Sequence, residues 1–189
     1  MGDAAVYGSA GSYAHAVDMT TGERLWRYGG GRASYGQPVE SDGVVYAAGT
    51  SYIDGAFLIA LDSANGEVLW RVPTGYSSVD LQPVVSGGRV VAGSYYGLVA
   101  LNPQTGAEVW RFTYLLSSAP VVSDGVVYVG AFDGSVHALD AASGEPLLSF
   151  RSVAPGYVAG LSVAGDVVYA ASQHARLYAI DTRADADDP

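Results

Sequence analysis

A short phrase recurs along this chain at a nearly fixed interval. Ala16-Val17-Asp18 precedes Gly22 and Trp26, Ala60-Leu61-Asp62 precedes Gly66 and Trp70, and Ala100-Leu101-Asn102 precedes Gly106 and Trp110. Ala138-Leu139-Asp140 precedes Gly144, but Leu148 stands where a fourth Trp is due; Ala179-Ile180-Asp181 opens a fifth copy. The Asp/Asn positions are 44, 40, 38 and 41 residues apart. A period near 40 marks a repeat architecture, in which each copy is one supersecondary unit that buries its faces against its neighbours.

Each copy reads as strands. In residues 119–151, Pro120-Val121-Val122 is a short first strand, and Ser123-Asp124-Gly125 is a tight turn. Val126 to Gly130 is a β-branched second strand, Phe132-Asp133-Gly134 turns again, and Ser135 to Asp140 is the third. Pro146 to Phe150 forms the fourth. Four short strands with tight turns predict an antiparallel meander. Repeated at this period, the meander predicts an all-β fold, a β-propeller of four-stranded antiparallel blades. A β-sandwich is the rival, but it gives no reason for the third turn to repeat in register.

The predicted blades span residues 36–72, 82–113 and 119–151, with partial blades at 1–28 (strands two to four) and 158–181 (strands one to three). Residues 182–189 form an acidic tail expected to be disordered. That makes about four to five blades. Three closures stay open: a fragment of a longer protein, an open half-propeller that closes by dimerising, or a small four- or five-bladed ring. Unpaired strand edges favour self-association.

Composition narrows the function classes. The chain has no cysteine, which excludes a disulfide framework, a thiolate zinc site and a catalytic cysteine. A net charge of −10, with all nine basic residues arginine, disfavours nucleic acid. No apolar run approaches the ~20 residues of a membrane helix, and no basic-then-apolar leader opens the chain. As written the chain reads as cytoplasmic, unless it is part of an exported protein.

The phrase Ala-x-Asp-x-x-x-Gly-x-x-x-Trp resembles the tryptophan-docking motif of quinoprotein-type, PQQ-like propeller repeats. That family occurs in bacterial quinoprotein dehydrogenases, in the BamB-like assembly lipoproteins and in sensor domains of bacterial kinases. The resemblance covers essentially the whole chain. It implies that Trp26, Trp70 and Trp110 pack between blades. A large aromatic at each junction also suits blades that cannot bury both faces alone. Asp18, Asp62, Asn102 and Asp140 are expected to cap the third turns, with Gly22, Gly66, Gly106 and Gly144 at positive φ. For a dehydrogenase the resemblance implies eight blades, a vicinal cysteine pair over PQQ, a catalytic Asp and bound calcium. With no cysteine and about half the length, this chain is not expected to bind PQQ; no other cofactor, metal site or catalytic residue is predicted.

Function is then sought in what varies between copies. Loops before first strands and between second and third strands share one end of a propeller, and here they concentrate Tyr, Ser, Gln and Asp. Tyr35, Gln37, Tyr76, Asp80, Gln82, Tyr95, Tyr96, Tyr114, Asp133, Tyr157 and His174 are the candidate binding residues. His15 and His137 share a repeat position filled elsewhere by Ile59, Val99 and Tyr178, so they read as packing residues. Gly29-Gly30-Gly31-Arg32 lacks the strand-to-helix context and the Lys-Ser/Thr of a phosphate loop and reads as a linker. The sequence therefore points to a non-catalytic scaffold that binds a protein or small ligand through its tyrosine-rich loop face. The alternatives are a sensor domain of a larger bacterial receptor or kinase, and a small-molecule enzyme using Asp54, Asp80 or Asp133.

Overall fold

Alternation between apolar and turn-forming segments gives a chain of hairpins. The computed structural model describes residues 5–10, 12–31, 33–75, 82–151 and 156–182, and its regular elements are all β-strands. Tyr76, Asp80 and the tail beyond Thr182 lie outside the described residues. Five antiparallel sheets follow one another in chain order. The first holds β1 (Ala5–Ala10), β2 (Tyr13–Asp18) and β3 (Arg24–Gly29). The second holds β4 (Ala33–Tyr35), β5 (Val39–Ser41), β6 (Val44–Ser51), β7 (Gly55–Asp62) and β8 (Val68–Pro73). The third comprises β9 (Val84–Ser86), β10 (Arg89–Ser94), β11 (Gly97–Leu101) and β12 (Glu108–Thr113). The fourth comprises β13 (Val121–Ser123), β14 (Val126–Gly130), β15 (Ser135–Asp140) and β16 (Pro146–Arg151). The fifth holds β17 (Val158–Ala164), β18 (Val167–Ser172) and β19 (Leu177–Asp181).

The second sheet departs from the simple meander. The segment 29–37, read from sequence as the loop before a first strand, contains β4, which pairs with the far end of β6 through Ala33↔Ser51 and Tyr35↔Gly49. The extra residues near 51–56 lengthen the β6–β7 hairpin into two eight-residue strands, and the longer ladder offers β4 an edge. Gly49 permits the close approach, because a Cβ there would lie 2.9 Å from the Ser34 carbonyl oxygen.

Side chains alternate between the two faces of a strand, and in the inner sheets both faces are buried. Val45, Ile59 and Leu61 pack with Ala14, Ala16 and Trp26 of the first sheet. Tyr46, Leu58 and Ala60 pack the other way, onto Val90 and Val99 of the third. Double burial explains why β7 and β11 read as continuous apolar runs rather than as alternation. Two further clusters join the third sheet to the fourth and the fourth to the fifth. Among the described residues no cluster joins the first sheet to the fifth. The end faces stay open accordingly. Tyr46 and Tyr128 are 3% and 7% exposed, whereas Tyr169, at the same repeat position, is 38% exposed.

Each junction repeats one arrangement. The indole Nε1 of Trp26 donates to the Ser63 carbonyl at 2.8 Å, that of Trp70 to Pro103 at 2.8 Å, and that of Trp110 to Ala141 at 3.0 Å. The receiving turn is built by its Asx residue. The Asp62 carboxylate accepts from the amides of Ala64 and Asn65, and the Asn102 side-chain oxygen accepts from Gln104 and Thr105. Asp18 and Asp140 do the same in their own turns. The turn then closes on a glycine held there for two reasons. Gly66 has φ 75°, and a Cβ on it would sit 2.7 Å from the Trp26 ring. Gly106 and Gly144 meet Trp70 and Trp110 in the same way, whereas beside Gly22 nothing lies within 4 Å.

Leu148 interrupts the series. A leucine cannot reach the next sheet's turn, and a cavity of about 200 Å³ remains, lined by Tyr128, Ala138, Leu148, Asp166 and Thr182. Replacing Leu148 by Trp is therefore expected to raise stability by about 0.5–2 kcal/mol, read as a higher Tm, as cavity filling does. Trp110→Ala, by contrast, should cost about 3–5 kcal/mol in thermal or urea unfolding.

Hydrogen bonds from the Ser143 hydroxyl and amide hold the Asp140 carboxyl below its ordinary value, and the amides of Thr21 and Thr20 do so for Asp18. A depressed folded pKa stabilises above the unfolded value of 3.8 and loses that contribution as pH falls through the folded one. Thermal stability should therefore drop as pH falls below about 4. Asp140→Asn, which keeps the turn acceptor as Asn102 does, should flatten that decline in a Tm-against-pH series.

Candidate functional site

In a meander of this topology, the inter-sheet linkers and the second-to-third strand hairpins emerge at one end. In the third to fifth sheets the aromatics at that end meet. The Tyr95 ring lies 5.9 Å from Phe132, and Phe132 lies 5.7 Å from Tyr157. Backbone hydrogen bonds fix this ridge. Leu116 N–H donates to Tyr95 O, Phe132 N–H to Leu115 O, and Gln173 N–H to Tyr157 O. Leu116 also forms a bridge with Ala131, which ties the linker to the following hairpin. Tyr95, Tyr96, Leu115 and Phe132 are exposed although large and apolar in character; Tyr114 beside them is partly exposed.

Beneath the ridge lies a polar chain. The Tyr114 hydroxyl donates to Asp133 Oδ2 at 3.1 Å. Asp133 Oδ1 accepts from the Ser135 hydroxyl at 2.6 Å and from its amide at 3.0 Å. The same Ser135 oxygen lies 2.9 Å from His137 Nε2. The imidazole is packed against Tyr114 and Phe112, at 4.4 and 5.4 Å between ring centres. Burial pushes the His137 pKa down, against a smaller upward pull from Asp133. The Ser135 hydroxyl bond, followed by its amide, the Tyr114 hydroxyl and the Arg151 charge, holds Asp133 below the ordinary carboxylate value. Asp133 is thus a firmly ionised acceptor, the opposite of a proton-donating carboxyl. The spacing Asp133-Gly-Ser135-Val-His137 puts Ser135 and His137 on one face of β15, and Asp133 reaches Ser135 from the turn before the strand. That spacing was the available signal for a role of His137 beyond packing.

Other candidates fall elsewhere. Tyr35 is half-buried between the first two sheets, edge-on to Tyr28 at 6.0 Å and to Phe57 at 5.7 Å. Burial raises its phenol pKa. In β4 Tyr35 packs against both sheets with one edge on an open cleft, where Arg71 stacks on Phe57 and pairs with Asp54 at 3.1 Å. Gln37 and Gln82 are exposed. His174 packs at Gly156, whose Cβ would lie 2.9 Å from the imidazole, so it adjoins Tyr157 at the far end of the ridge. Among the described residues no cluster of His, Asp or Glu is arranged to hold a metal ion.

Five stacked meanders joined in series define a β-propeller-type repeat protein. A family profile described as outer membrane protein assembly factor BamB matches residues 10–113 and 96–187, and the chain belongs to that PQQ-like repeat family. The crystal structure of BamB from Moraxella catarrhalis superposes with a TM-score of 0.78 at 25% identity, covering 96% of this chain and 56% of that one. This chain therefore spans little more than half the length of that relative. The computationally designed Ika4 protein superposes at 0.72 with 18% identity, over 85% of this chain and 99% of its own. Quinohemoprotein alcohol dehydrogenase from Comamonas testosteroni superposes at 0.74 with 21% identity, over 95% of this chain and 40% of its own. These last two likenesses are of fold alone. No curated protein sequence matches the chain.

The polar chain is testable. Tyr114→Phe removes one donor from Asp133, and its carboxyl should titrate closer to the ordinary value in an NMR pH series. Ser135→Ala, which removes the largest cause, should move it further.

Proposed function

We propose that this chain is a non-catalytic scaffold that docks a protein partner on its aromatic loop end. The observation that carries the reading is the ridge Tyr95–Phe132–Tyr157, flanked by Tyr96, Tyr114 and Leu115 and crossing three sheets. Aromatics that supply large contact area on a rigid frame are what protein interfaces concentrate at their centres. An exposed apolar patch on a soluble fold also needs a reason. The low pKa of Asp133 supports binding over acid catalysis, because a general acid needs a raised one. A net charge of −10 favours a partner with a neutral or basic surface. The description of the family as an assembly factor is in keeping with such docking.

The test is selection of peptides from a displayed library, followed by calorimetry with the winning peptide. Phe132→Asp should weaken binding at least tenfold. Met19→Asp, an exposed change in a turn at the opposite end, should leave it within twofold. Binding that survives Phe132→Asp would overturn the reading.

A second reading, self-association, is favoured by the open faces of the end sheets. Val6 is 52% exposed, while Val45 at the same repeat position is fully buried. Tyr169 and Leu177 are exposed on the other end sheet. Two unpaired apolar sheet faces can be covered by a second copy. Light scattering should then report a dimer or larger species that Leu177→Asp reduces to a monomer; a wild-type monomer at high concentration would refute it.

A further inference from the structure

Between the fourth and fifth sheets the packing leaves a cavity of about 130 Å³. Val136 and Phe150 wall it from the fourth sheet, Ala170 and Ile180 from the fifth. Its wall is mainly apolar, yet two polar atoms are stranded there. Ser172 Oγ and Tyr178 Oη are buried without a hydrogen-bond partner among the described residues. Both line the cavity. Ladder register puts them together, because Tyr178 lies opposite Ala170, two residues before Ser172 on the same face of β18. A buried hydroxyl with no partner loses its bonds to water without replacement, so two in one cavity call for an explanation.

The other junctions show that the feature is particular to this one. Ile59 and Val99 hold the repeat position of Tyr178, and both are packed shut. Ser94 holds that of Ser172, and its hydroxyl accepts from the Tyr96 amide at 3.1 Å. Among the described residues, only the last junction combines a void, a phenol and an unpaired serine. Arg151, the final residue of β16, is an exposed cation among the lining residues. The ion pairs among the described residues are Arg71–Asp54 and Arg111–Glu108; Arg151 forms none of these, and its charge acts on Asp133 only as the smallest contribution to that carboxyl's lowered pKa.

We propose that this cavity is a binding site for a small aromatic monocarboxylate. A dry apolar cavity of about 150 Å³ accepts a benzene-sized molecule, and a single ring fits between Val136 and Phe150 on one side and Ala170 and Ile180 on the other. One carboxylate oxygen accepts from Ser172 and Tyr178, and Arg151 supplies the opposite charge at the rim. Charge-assisted hydrogen bonds of this kind distinguish the anion from a neutral ring of equal size.

The probe is benzoate at pH 7 and about 0.15 M salt, where long-range repulsion from the acidic surface is screened. Amide shifts in an NMR titration should cluster on β16, β18 and β19, and calorimetry should give the Kd. Tyr178→Phe, which deletes one oxygen and leaves the ring, should raise that Kd at least fivefold, as should Arg151→Gln. Benzyl alcohol should bind at least fivefold more weakly than benzoate, and Ala170→Leu, which fills the cavity, should abolish both. Absence of benzoate shifts, shifts centred on other sheets, or a Kd unmoved by Tyr178→Phe would each overturn the proposal. So would benzyl alcohol binding as tightly as benzoate, since the site would then read shape alone. Should Ala170→Leu not fold, the phenylalanine variant still decides the matter.

Discussion

The indole-to-carbonyl junction is the interaction on which the rest of the structure depends. A four-stranded sheet with two apolar faces cannot stand alone in water, and each needs a neighbour at a fixed height and angle. The tryptophan of the outer strand supplies both. Its ring lies on the glycine of the next sheet's third turn, and its Nε1 binds a carbonyl of that same turn. The Asx side chain must therefore shape the turn before the glycine can receive a ring. Contact area comes from the indole, and register comes from one hydrogen bond.

Such packing makes stability a sum over neighbours. The fourth junction lacks its indole, and it is where two cavities open beside the fifth sheet. A loosened last sheet is also a place where side chains can differ from the repeat without collapsing the array. Tyr178 and Ser172 sit there, whereas in the second and third sheets Ile59 and Val99 pack at the position of Tyr178 and Ser94 bonds within its own turn at that of Ser172.

Much of the fold was legible because its rules are local. Asp, Gly and Trp at fixed spacing declare a turn and what closes on it, whichever copy is read. The strand β4 was not legible, because its pairing depends on how far the β6–β7 hairpin extends past its neighbours, a non-local length. The placement of Tyr35 was hidden for the same reason: it reads as a loop residue, but β4 carries it in between two sheets. At the loop end, Tyr95, Tyr114, Asp133 and Tyr157 could be grouped from topology alone. Their actual contacts run through Phe132, Ser135 and His137, whose parts depend on which sheet faces which. The stranded hydroxyls could not be foreseen, since a polar atom is unpaired only relative to everything packed around it.

The open space beside Gly22 gives the array a direction. Each of the three indole junctions has a donor side, with a tryptophan, and a receiver side, with an Asx turn and a glycine; the free side of the first sheet presents only a receiver. Two identical receivers have nothing to exchange, so a twofold partnership of first sheets would leave both glycines without a ring. Whatever joins this end by the same chemistry must arrive as a donor, adding in the sense in which the chain itself runs. Growth by this rule is vectorial: it closes into a ring when the angles per sheet sum to a full turn, and otherwise winds into a helix.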